Sequence, residues 1–208
     1  MTSPAWSTRL YEAADEVVWA ARLTLLCAVF TLAGGVVLGV GPATVAAYTV
    51  ARRHALDESF QVWPAFTAAY RREFGRGNAL VLPLAGMTIL LVTNYFYFAS
   101  MGAAATLARL TTLVALVATA MIAAYLLPMA VHYDLRTIAY VPKASLFALT
   151  RPAASVLLLL VLTAIGYAVV AYPVLVVVAV GGWIQLDTWL CLRFFAENEA
   201  RQKAKGLS

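Results

Sequence analysis

The chain has 208 residues, of which 63% are apolar and 12% charged, with a net charge of +5. An ordinary globular domain is roughly 45–50% apolar and about 25% charged. A soluble domain is thereby excluded, and the basic excess reads as orientation across a bilayer, not as nucleic-acid binding.

The chain begins with a segment in which Arg9 is set against Glu12, Asp15 and Glu16. That is the wrong charge for the start of a signal peptide, and the apolar run that follows is longer than a signal's ~7–15 residues. The run is therefore expected to be a true span, from about 17 to 40. A span needs about 20 apolar residues to cross the hydrocarbon, and four more segments qualify: 79–99, 110–129, 153–171 and 174–192. The fold class expected is an all-α, polytopic membrane helix bundle of about five spans in one integral membrane domain, 1–208. Only Tyr172-Pro173 separates the last two spans, which forces a hairpin. Tyr95–Phe98, Tyr167 and Tyr172 are expected at one headgroup level, and Trp189, Phe194 and Phe195 at the other.

Of the 15 basic residues, 12 fall between spans one and two, between spans three and four, and after span five. With five spans these segments share one side, which predicts an outside N-terminus and a cytoplasmic C-terminus in a plasma membrane. The two inner loops are 43–78 and 132–152. In the first, Pro42 suits the start of a helix, and Arg52, Arg53 and His54 suit its end. Beyond Pro64, Phe66, Tyr70 and Phe74 recur four apart, with Arg71, Arg72 and Arg76 mostly off that stripe. This is an amphipathic basic helix, expected at the inner interface, with Phe66, Tyr70, Phe74, Arg71 and Arg72 as a candidate packing or partner surface. The second loop repeats the plan weakly. Val62-Trp-Pro-Ala and Tyr140-Val-Pro-Lys share an aromatic–proline entry, the trace an internal repeat would leave.

The string Gly41-Pro42-Ala43-Thr44, followed by Ala46-Ala47-Tyr48, a basic helix end and the aromatic Phe66…Tyr70…Phe74 segment, resembles the YesL family of bacterial integral membrane proteins. The family carries a domain of unknown function, and the resemblance covers most of the chain. It implies an accessory or regulatory role in oligosaccharide uptake by ABC transporters, with permease subunits as partners. It implies no reaction and no catalytic residues. From the residues themselves, Gly41-Pro42 reads as a corner at the inner membrane face, where span one ends and an interfacial helix begins.

Ionisable or amide groups inside a span are functional candidates by default. Asp187, with Gln185 nearby, and Asn94 are the ones singled out, each set against the plainer reading of a bond to a neighbouring helix. Arg22 can snorkel to an interface. His132 and Asp134 are two apart on a helix and do not face each other, so a metal or catalytic dyad is disfavoured. Cys27 and Cys191 read as small buried hydrophobes. There is no phosphate-binding loop, no GxSxG and no HExxH. No enzyme, metal or cofactor is expected. Gly34-Gly35 with Gly39, and Gly181-Gly182, allow close helix approach, within the chain or between copies. The expected function is therefore an accessory membrane protein; the alternative is a small oligomeric transporter with Asp187 or Asn94 on its path.

Overall fold

The computed structural model describes residues 5–133 and 136–204, with side chains from 11 to 133 and from 136 to 197. Among them every regular element is helical: α1 (Ala5–Ala33), α2 (Val37–Ala55), α3 (Val62–Arg72), α4 (Phe74–Ser100), α5 (Thr106–His132), α6 (Thr137–Thr150), α7 (Pro152–Ala171) and α8 (Val176–Ala204). Short 3-10 turns at Gly102–Ala105 and Pro173–Leu175 join α4 to α5 and α7 to α8. Five segments are long and apolar enough to cross a membrane, in α1, α4, α5, α7 and α8. The protein is an all-α, multi-pass membrane helix bundle.

Helix ends follow local chemistry. Gly102, at φ +69°, sits just past α4 in the left-handed conformation that closes a helix at little cost to glycine. Pro152 opens α7, where its missing N–H is no loss. Asp57, at φ +54°, turns the chain after α2, and Asp tolerates that region better than most residues.

The first apolar run corrects the expectation of a single span from 17 to 40 with a corner at Gly41-Pro42. The chain reverses earlier, at Gly34-Gly35-Val36, where Gly35 and Val36 have φ of +76° and +63°. Backbone bonds tie the turn: Val36 N donates to Thr31 O at 2.9 Å, and Gly35 N to Leu32 O at 3.0 Å. The run is thus the end of α1 followed by the start of α2. The two helices pack antiparallel. Trp19 stacks on His54 at 4.0 Å, Cys27 Sγ lies 3.8 Å from Ala43 O, and a Cβ on Gly39 would collide with the backbone of Thr31. Continuous apolarity concealed the turn, because residues on both sides of it are buried or face lipid.

The interfacial helix expected after the corner is also corrected. Helix α2 is the hub of the bundle and touches α1, α3, α4, α5 and α8. Ala43, Ala46, Ala47, Tyr48, Val50 and Ala51 are buried, and the alanines among them let helices approach closely.

Helix directions follow from the pairings. Glu16 bonds Gln185, and Gly181 N donates to Thr24 Oγ1 at 2.9 Å, so α1 and α8 run in opposite senses. Helices α4 and α5 form a hairpin whose open end joins Arg76 to Ala130 O at 2.9 Å. Spans one and five would run parallel if the chain began and ended on opposite sides. They pack antiparallel, so the start of α1 and the end of α8 point to the same end of the bundle. The extra reversal is α2, whose terminal Arg52, Arg53 and His54 lower its hydropathy. Both helix ends that carry the loop arginines lie at this same end, where Arg151 meets Glu197 at 3.4 Å and Phe195 stacks on His132 at 5.2 Å.

Candidate functional site

The family-motif residues form a helix crossing. Pro42 lies inside α2 and lacks the N–H that would serve the carbonyl four residues back. That carbonyl belongs to Leu38, and Asn78 of α4 serves it instead, Nδ2 donating at 2.9 Å. The crossing must be close for this. A Cβ on Gly77 would stand 2.9 Å from Pro42 Cα, and one on Gly41 would stand 2.8 Å from Asn78 N. Thr44 Oγ1 donates back to Val40 O at 2.7 Å, and Ala43 is buried. Asn78 was not singled out from the sequence. The signal available was Pro42 itself, which obliges some donor to serve Leu38.

Tyr48, further along α2, meets Asp187. Its hydroxyl donates to Asp187 Oδ2 at 2.6 Å, with both residues buried. Cys191 Sγ lies 3.6 Å from Asp187 Oδ1. The structure thus joins a motif residue to the intramembrane carboxylate. The arrangement fits the plainer reading of Asp187, a group bonded to neighbouring helices. Asn94 is elsewhere, half-buried far along α4. Gly181 packs on Ala20 of α1, so its small face is used within the chain, as are those of Gly34 and Gly39.

The aromatic stripe of α3 is largely internal, which fits the packing alternative of its two expected uses. Phe66 is fully buried and Tyr70 is 9% exposed. Phe30 of α1 inserts between them, with ring centroids at 4.9 and 5.0 Å. Phe74 is half-exposed, and Arg71 and Arg72 face out. A stripe at i+4 spacing reports an apolar face; it does not report what covers that face.

Beside α3 the basic residues converge. A cleft of about 570 Å³ opens between α2, the α3–α4 junction and the end of α5. It is lined by Arg52, Arg53, Arg72 and Arg76, by Glu58 and Glu73, and by Thr49 and His132 among others. Glu73 is 8% exposed and is bracketed by Arg72 Nε at 3.0 Å and Arg76 Nη1 at 3.1 Å. Arg76 also donates to the Tyr140 hydroxyl, which in turn donates to Tyr133 O at 2.7 Å. Arg53 Nε donates to Glu58 at 2.7 Å, and its guanidinium lies 4.4 Å over Phe60. Arg52 has no ion pair among the described residues, and its Nε is buried without a hydrogen-bond partner. A buried donor left so costs about 1–3 kcal/mol.

His54 and His132 lie apart, each stacked on an aromatic ring, and Asp134 lies outside the described residues. Among the described residues no group of three or more His, Cys, Asp or Glu side chains is placed to hold a metal ion.

The family model described as "Protein of unknown function, DUF624" matches residues 20–95, which take in the second half of α1, all of α2 and α3, and most of α4. The chain is also similar to "Uncharacterized protein YesV" of Bacillus subtilis (strain 168), with 32% identity over 152 residues, 69% of this chain and 70% of the relative. No solved structure matches. With a relative of that identity and coverage, and with the matched segment holding the Pro42–Asn78 crossing, the chain belongs to the DUF624 family, the group of YesL and YesV.

Proposed function

We propose that the protein is a non-enzymatic membrane component that assists or regulates a transporter and carries no solute itself. The observation that supports this most is the state of Asp187. A carboxylate on a transport path must exchange partners as solute passes, whereas Asp187 is enclosed between α2 and α8 and bonded to Tyr48. The family resemblance adds the process, oligosaccharide uptake by an ABC system, whose permease subunits are the partners expected. The basic end of the bundle faces the cytoplasm of a bacterial cell in this reading, supported by the gathering of loop arginines there. Both termini then lie inside.

Affinity purification from native membranes tests the role. Transporter subunits should come down with the protein, and the Asp187→Asn variant should retain them and support uptake as well as the parent does. Were the protein to purify alone, and vesicles containing only it to move a sugar in a manner lost on Asp187→Asn, the small-transporter alternative would replace this reading.

A further inference from the structure

We propose that the arginine-lined cleft between α2, the α3–α4 junction and α5 is a binding site for a phosphate-bearing group. The proposal stands apart from the accessory role and survives its failure.

Four guanidinium groups and two carboxylates line the cleft among the described residues, an excess of positive charge at the mouth of a membrane bundle. Both carboxylates are already engaged, Glu58 by Arg53 and Glu73 by Arg72 and Arg76. These pairings leave donors unused. Arg53 and Arg72 reach their carboxylates through Nε alone, so their terminal nitrogens remain open. Arg52 has no anion among the described residues and a buried Nε with no acceptor. Arg76 is spent structurally, on Glu73, Ala130 O and the Tyr140 hydroxyl, and fixes the far wall.

Three guanidiniums whose forks have no anion among the described residues call for a multivalent anion with several acceptor oxygens. Phosphate matches the planar fork, each oxygen pair accepting two parallel N–H bonds. The cleft, at about 570 Å³, is larger than a bare ion requires, so the phosphate is expected as an ester. Two sources share this chemistry: a soluble sugar phosphate, or the headgroup of an anionic phospholipid. The first suits a sensor of cytoplasmic metabolite; the second suits a lipid held at the inner leaflet.

The test uses the full-length protein in a neutral detergent. Its binding and thermal stability are followed with inorganic phosphate, with glucose 6-phosphate, and with phosphatidylglycerol against phosphatidylcholine in nanodiscs. Binding of the soluble phosphates, weakened at least tenfold in Arg52→Gln and in Arg72→Gln, supports a metabolite site. A response to phosphatidylglycerol alone, lost in the same variants, supports a lipid site. Arg52→Lys should recover part of the binding, as a point charge without the fork. Arg193→Gln is the control, since Arg193 is exposed, lies outside the cleft and stacks on Trp189 at 3.7 Å. If Arg52→Gln does not fold, Arg72→Gln decides, because that side chain is 70% exposed and tied to Glu73 only. Absence of response to every probe, unchanged binding in the cleft variants, or an equal loss in Arg193→Gln overturns the proposal.

Discussion

Replacing Asn78 by leucine removes the donor that serves Leu38 and leaves a carbonyl inside a helix crossing without a partner. The cost expected is about 0.5–1.5 kcal/mol, the net worth of a hydrogen bond open to solvent. The same change made in a Pro42→Ala background should cost much less, because an alanine in place of Pro42 supplies its own N–H to Leu38. Thermal unfolding of the four proteins in detergent gives the coupling directly, and additive effects would show that Asn78 does not act through Pro42. Asp187 allows a second contrast. Asparagine keeps an oxygen to accept from Tyr48, so Asp187→Asn should unfold within about 1 kcal/mol of the parent. Asp187→Leu strands a buried hydroxyl and should lose roughly 1–3 kcal/mol. At this scale the sequence showed which residues are unusual, Pro42, Tyr48 and Asp187 among them. It did not show that Tyr48 and Asp187 are partners, since 139 positions separate them and nothing local marks the pairing.

Within a single helix, glycines divide by what lies across from them. A Cβ on Gly77 would press on Pro42, whereas one on Gly86, further along α4, would meet nothing within 4 Å. Gly77→Ala should therefore force α4 away from α2 and destabilise the protein. Gly86→Ala should be neutral, or stabilising by up to about 1 kcal/mol through helix propensity. Equal effects of the two, measured as apparent melting temperature, would sink the idea of a close crossing. Helix α3 behaves as core: Phe66→Ala should cost on the order of 3 kcal/mol by opening a cavity against Phe30. The span segments of α4, α5, α7 and α8 were legible because uninterrupted apolarity of the right length has one meaning in a bilayer. Helix α2 was not, because Gly34-Gly35 looks like packing glycine as readily as a turn, and only the fold distinguishes them.

For the molecule as a whole, the antiparallel sense of α1 and α8 has a direct test. If both termini are cytoplasmic, as proposed, green fluorescent protein fused to either end of the chain should fluoresce, while a periplasmic reporter at either end stays inactive. Opposite behaviour of the two fusions would restore an odd number of crossings. In the proposed topology the segment that carries Arg9 joins the loop arginines on the cytoplasmic side, which adds to the charge asymmetry that supports that orientation. The Pro42–Asn78 crossing also bears on how the chain is made. The donor for Leu38 lies 40 residues downstream, so the first hairpin emerges from the ribosome with its return helix incomplete. Until α4 arrives, the Leu38 carbonyl lacks its Asn78 donor. A proline that looks like a defect in a finished helix thus ties the last hydrogen bond of the second long helix to the arrival of the third.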